Sequence, residues 1–258
     1  MMEHPSLRAA LAAARPLRVG WACLPDPLAT ETMVRAGFEA VLIDLQHGVI
    51  DMGTAPAMLS AIRAAGGYAL ARIPVGEYQS ASRLLDWGAE MAVAPMIETA
   101  DDARAFASLM KYPPHGLRSY GPARAVQLSG LSADAYRTSA NGSTLAIVMI
   151  ETRSALANLD AILAVPGIDG VFVGPYDLSI ALSPDGEPGL DRSDTIAAME
   201  RVARQTKAAG KVCGAFGANA ALVRRYLGLG FTFATLSTDM DLIASATKAA
   251  IAEVESDG

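Results

Sequence analysis

The chain has little to offer several common chemistries. It holds two cysteines, Cys23 and Cys213, both inside apolar, strand-like segments. A disulfide framework or a thiolate metal site is therefore not expected, and two reduced core thiols are. No run of Lys or Arg exceeds a pair, and the formal net charge is -6 with a pI near 5.1. Nucleic acid or an anionic membrane surface finds no basic patch to hold. No segment approaches ~20 uninterrupted apolar residues, the length a membrane span needs. The alanine-rich opening MMEHPSLRAALAAARPLRVG reads as a soluble helix rather than a leader. The only lysines are Lys111, Lys207, Lys211 and Lys248. Lys211 opens a strand and the others fall on helices, so none is placed for Schiff-base catalysis. What remains is a cytoplasmic protein whose partners are small molecules and copies of itself, with no nucleic acid and no membrane among them.

Composition also leaves no room for disorder. The 258 residues are 52% hydrophobic and 19% charged, enough to bury a large core. From Leu17 onward one pattern recurs: a short run rich in Val, Ile and Leu, a break, an amphipathic stretch, and often a glycine. The runs are LRVGWACL, EAVLIDL, YALARIPV, EMAVAPMI, TLAIVMIE, DGVFVGPYD, KVCGAFGA and TFATLST. Helical periodicity is clear in most of the segments between them. Alternating strands and helices imply a parallel sheet, and about eight units in ~250 residues is the size of a closed (β/α)8 TIM barrel. An open doubly wound sheet is the alternative, but the first strand is not followed by the G-x-G-x-x-G turn of a dinucleotide fold. No linker divides the chain, so residues 1–258 are expected to form one domain. The segment from His115 to Ser143 breaks the rhythm as a long connection rich in Gly, Ser and Arg, a length often associated with function.

Polar residues interrupt the strands at their ends. VLIDLQHG starts as a buried strand and finishes on Asp44, Gln46 and His47; Arg72 lies late in the third strand; Glu151 and Asp177 end the fifth and sixth. In a barrel the strand ends share one rim, where catalytic groups collect. Glu151 and Asp177 on that rim would repel unless a cation sat between them, and hard oxygen ligands favour Mg2+ or Mn2+. The alternative for each acid is the capping of a helix start. Asp44, three residues before His47, could orient the ring and raise its basicity for general-base work, although a lone histidine is more often structural. Arg72 inside an apolar strand requires an anion. That anion is either a substrate oxygen or an ion-pair partner such as Asp44 or Glu151.

These residues lie within longer stretches, LIDLQHG, ARIPV, LLDWGAEMAVAPMIETADDAR, YPPHGLRSYGPARA, MIETRSALANLDAILAVPGIDGVFVGPYDLS and STDMDLIASA, that resemble the HpcH/HpaI class II pyruvate aldolases over nearly the whole chain. The resemblance implies a (β/α)8 barrel and a divalent metal on Glu151 and Asp177, Mg2+ or Mn2+ first and Co2+ or Zn2+ as alternatives. It implies Arg72 on the pyruvyl oxygen, and His47 with Asp44 in proton transfer. It further implies that Gly174, Pro175 and Tyr176 bring backbone groups to the substrate carboxylate and that Trp21 lines the pocket. Tyr120 and Arg124, in the loop RSYGPARA, would reach a neighbouring subunit's site, within a hexamer of three dimers that exchange their last helix. Two departures stand out: Gln46 where many relatives have Glu, and Met149 where many have Gln. The activity so implied is reversible cleavage of a 4-hydroxy-2-oxo acid into pyruvate or hydroxypyruvate and an aldehyde. Oxaloacetate decarboxylation through the same enolate is the nearest alternative, and a catalytically silent oxo-acid-binding protein is a more distant one.

Overall fold

Runs of four to six small or branched apolar residues form eight strands in the computed structural model, which describes residues 5–13 and 15–256. They are β1 (Arg18–Ala22), β2 (Ala40–Asp44), β3 (Tyr68–Arg72), β4 (Met91–Ala94), β5 (Leu145–Met149), β6 (Gly170–Val173), β7 (Val212–Gly217) and β8 (Phe233–Thr238). Each pairs in parallel with the next, and β8 pairs with β1, so the sheet closes into a barrel with no free edge. This is the (β/α)8 architecture expected from the alternation of segments, and the open-sheet alternative falls away.

Period-2 alternation divides the strand side chains into two sets. Val19, Trp21, Leu42, Leu70, Val93, Ile147, Met149, Phe172 and Phe233 fill the interior. Val41, Ile43, Ala71, Ala92, Val148, Val171 and Ala215 point outward beneath the surrounding helices. The short helix Leu7–Leu11 adds Leu7 and Leu11 to the interior set. At Gly214 the bulk of the rings dictates the residue: a Cβ there would sit 2.4 Å from the Phe233 ring and 2.7 Å from that of Phe172. Helix starts above the barrel are fixed by side chains that accept backbone amides, Asp26, Thr99, Thr152 and Asn219 among them.

The connection from His115 to Ser143 is not a plain loop. It carries the helices Ala123–Ser129 and Ala133–Ser143, packed over Tyr112, Ala125, Tyr136 and Ala140. Two of the residues that suggested a loop are caps: Gly130, at φ 69°, ends the first helix, and Ser132 accepts the Ala135 amide to start the second.

The last helix, Asp239–Ser256, leaves Met240, Ile243, Ile251 and Val254 exposed. In a barrel of this kind the helix after the eighth strand covers the seam between the eighth and first. Here that seam is a groove of about 540 Å³, lined by Leu17, Val19, Phe38, Val223, Leu227 and Leu236 among others. Among the described residues no helix is long and apolar enough to cross a membrane.

Candidate active site

At the C-terminal ends of the strands lies a cavity of about 240 Å³. It gathers eight residues singled out from the sequence, Trp21, Asp44, His47, Arg72, Gly174, Pro175, Tyr176 and Asp177, and adds Cys23, Met149, Phe172, Phe216 and Thr238. Cys23 is thus a wall of the cavity rather than a core thiol, whereas Cys213 is buried as expected.

The register between β2 and β3 sets Asp44 directly opposite Arg72. Their side chains form a two-pronged ion pair, Arg72 Nε to Asp44 Oδ1 at 2.8 Å and Nη2 to Oδ2 at 2.6 Å. The Trp21 indole N–H donates to Asp44 Oδ2 at 3.2 Å, and the guanidinium lies over the Trp21 ring at 4.7 Å. Burial works against the charge on Asp44, but Arg72 and the amides of Gln46 and His47 outweigh it and hold the carboxyl below the usual range. The pairing of Asp44 with the His47 ring expected from their spacing does not form. Asp44 accepts the backbone amide of His47 at 3.4 Å, because the strand register delivers the guanidinium to the carboxylate first. The His47 ring is exposed at the lip and makes no hydrogen bond among the described residues. The Gln46 side-chain oxygen is buried without a partner among them.

Glu151 and Asp177 converge. An added Cβ on Gly174 would sit 2.7 Å from Glu151 Oε2 and 3.2 Å from Asp177 Oδ2, so both oxygens face the space kept open by the missing side chain. Glu151 Oε1 is held from behind by the Met96 amide at 2.8 Å, and Met96 adopts φ 54° to aim it. A left-handed backbone at a non-glycine residue is uncommon and is stored where geometry matters. Burial and the negative charge of Asp177 push the Glu151 carboxyl up to about 7, against the Met96 amide and Arg72. A buried acid beside an exposed one, with the nearest guanidinium already paired, forms a site short of positive charge. Among the described residues no group of three or more His, Cys, Asp or Glu gathers around one point. The donor set is therefore two hard carboxylate oxygens, which suits Mg2+ or Mn2+ with water and substrate completing the shell, and does not suit a closed zinc site.

Helix Pro175–Leu182 starts at the cavity with Gly174 as its cap. Its first amides lack intrahelical acceptors and face an anion well, but Pro175 has no N–H, so Tyr176 and Asp177 are the donors there. Tyr120 and Arg124 do not line the cavity. Within the chain the Tyr120 hydroxyl donates to Ala133 O at 3.1 Å, and Arg124 reaches Ser60 and Gln127.

The HpcH/HpaI aldolase/citrate lyase family pattern matches residues 18–246. The chain belongs to this family. Its relatives include a hydroxypyruvate/pyruvate aldolase from Rhizorhabdus wittichii, 38% identical over 93% of this chain and 94% of that one. A 4-hydroxy-2-oxo-heptane-1,7-dioate aldolase from Salmonella dublin is 37% identical over 93% and 90% respectively. The crystal structure of an HpcH/HpaI aldolase/citrate lyase family protein from Burkholderia cenocepacia J2315 superposes with a TM-score of 0.87 at 32% identity, covering 96% of this chain and 98% of that one. Several contributors to this HpcH/HpaI site carry no signal in their residue types. Met96 acts through its backbone and leaves no side-chain signal. Phe172 and Phe216 look like core residues, and only barrel closure turns them toward the cavity.

Proposed function

We propose that this family member is a divalent-metal-dependent carbon–carbon lyase, an aldolase that cleaves and forms 4-hydroxy-2-oxo acids from pyruvate or hydroxypyruvate and an aldehyde. The relatives named as aldolases, aligned over nine-tenths of the chain, support the reaction class. The observation that carries the reading is the convergence of Glu151 Oε2 and Asp177 Oδ2 on the space at Gly174, in the cavity that also holds Arg72. Mg2+ or Mn2+ held by these two oxygens would supply Lewis-acid polarisation of the 2-oxo group.

The chain's own groups do the rest. Arg72 Nε and Nη2 are spent on Asp44, and Nη1 is left to donate to the oxygen on which enolate charge develops. Asp44 and Trp21 fix the plane of that guanidinium, so its donor is in place before the charge forms. The Tyr176 and Asp177 amides at the helix start suit the substrate carboxylate. The unengaged His47 ring at the lip accepts the proton of the C4 hydroxyl in cleavage and returns it in synthesis. None of the four lysines lines the cavity, which supports an enolate rather than an imine route. The test is chelation and trapping. EDTA should abolish aldol cleavage, Mn2+ or Mg2+ should restore it, and borohydride with pyruvate should leave the protein unlabelled; activity that survives EDTA, or a pyruvyl adduct, would overturn the reading.

The exposed apolar side chains of helix Asp239–Ser256 and the groove between β8 and β1 support a second proposal, exchange of this helix between two copies. Each chain would then cover the other's seam.

A further inference from the structure

Charge is not spread evenly round the mouth of the cavity. Asp44, His47, Arg72 and Asp177 come from β2, β3 and the segments after β2 and β6, with Glu151 behind them at Gly174, whereas the arc made by β7, β8 and β1 presents Phe216, Thr238, Trp21 and Cys23. Phe216 meets the Trp21 ring edge-on at 5.2 Å, and Phe172 of the adjoining β6 lies 5.7 Å from Trp21, so this arc rests on an aromatic floor. Among the described residues one guanidinium lines the cavity, that of Arg72 from β3; it lies over the Trp21 ring at 4.7 Å but is already paired with Asp44, and no lysine lines the cavity. Thr238 spends its hydroxyl on Asp241 at 2.9 Å. Cys23, pushed up to about 12 by burial and by the charges of Asp44 and Asp239, stays a neutral thiol.

We infer that the aldehyde half of the substrate is uncharged, with its chain lying on the arc of Phe216, Thr238 and Trp21, and that the site selects against aldehydes ending in a carboxylate. The inference rests on the aldolase reading and narrows it. With the 2-oxo acid held by the polar arc, the aldehyde's substituent is left to face the aromatic one. A carboxylate placed there would lose its water, find no free cation, and stand near Asp44 and Asp177. An alkyl or aryl chain would trade water for ring faces. The dioate in the name of the Salmonella relative releases, on cleavage, an aldehyde that ends in a carboxylate. The arc in this chain offers such a group no counter-charge. Discrimination by one methylene in an apolar pocket reaches roughly 10 to 200-fold, and an unpaired charge should exceed its lower end by a wide margin.

The test uses the full-length protein in its native assembly with Mn2+, so that any group a neighbouring copy contributes is counted. Exchange of pyruvate methyl protons into D2O, followed by NMR, reports enolisation without an aldehyde. kcat/KM is then compared for butanal, 4-hydroxybutanal and 4-oxobutanoate, which share four carbons and differ in the terminal group. The expected result is measurable exchange, with both uncharged aldehydes favoured over 4-oxobutanoate by about 100-fold or more. Phe216→Arg, which adds a cation to the arc, should narrow that ratio at least about tenfold; if it does not fold, the wild-type ratio decides alone. Exchange with equal or better use of 4-oxobutanoate overturns the inference and leaves the aldolase reading standing. Absence of exchange removes the aldolase reading and this inference with it.

Discussion

Replacing Gly174 by alanine separates folding from chemistry at this site. The backbone at Gly174 has φ -86° and ψ 94°, a conformation open to any residue. The substitution therefore brings no backbone strain, and by restricting the unfolded chain it should add about 0.4 to 1 kcal/mol of stability where space allows. Space does not allow it here. The new methyl would sit 2.7 Å from Glu151 Oε2 and 3.2 Å from both Asp177 Oδ2 and Met149 Cε. The methionine end can swing aside, but Glu151 is pinned through its other oxygen by the Met96 amide at 2.8 Å. To regain ordinary contact the carboxylate must retreat by about 0.5 Å or more, whereas a metal–ligand bond tolerates only about 0.2 Å. We expect Mn2+ affinity to fall at least tenfold and kcat/KM by about 100-fold, with the melting temperature unchanged or slightly lowered. Mn2+ titration followed by electron paramagnetic resonance reads the first, steady-state aldol cleavage the second, and calorimetry the third. Gly142→Ala, where a Cβ meets nothing within 4 Å, serves as the control. Gly174→Ala with wild-type metal affinity and turnover would show that the two carboxylates do not act on a common ion there.

Three other outcomes follow from the same geometry. Arg72→Ala should cut kcat by about 10² to 10³ through loss of a donor aimed at developing charge, and should cost about 3 to 5 kcal/mol because Asp44, 1% exposed, is left buried and unpaired; adding Asp44→Ala should return most of the stability, read by urea unfolding, and none of the turnover. Glu39 is held down to about 2 by hydrogen bonds from Arg15 and Arg18 that outweigh its partial burial. Its stabilising contribution is therefore full above the ordinary carboxyl value of 4.5 and is lost as pH falls toward 2, so Glu39→Gln should flatten the acid side of a plot of urea midpoint against pH and leave the slope above pH 6 alone. A chain ending after Asp241 keeps the Thr238–Asp241 cap but lacks most of the last helix. Sedimentation velocity should find it in a smaller assembly than the full chain, and an unchanged assembly would remove the exchanged-helix proposal.

The barrel was legible because each strand is a compact apolar run and most connections are periodic. The position of Glu151 and Asp177 could be anticipated because a barrel rim admits few places for an acid. Partnerships were harder. Asp44 and His47 are neighbours in sequence, and a spacing of three suggests that they interact, but pairing across the sheet at Arg72 decides where the carboxylate goes. The proline of GPYD reads as part of a substrate cradle, yet it has no amide hydrogen to give. The segment from His115 to Ser143 looks irregular because Gly130 and Ser132, which end one helix and start the next, read as loop residues. Contributions made by backbone alone, such as the amide of Met96, leave nothing in the sequence to find.

Asp239 stands at the first turn of the closing helix and accepts the amides of Cys23 at 2.9 Å and Leu24 at 3.0 Å. Cys23 is itself a wall of the cavity, so the root of the segment proposed to cross to a second copy is fastened to the pocket. Dissolving such a pair by dilution would slacken that fastening and lower the specific activity of every subunit, tying catalytic output to protein concentration.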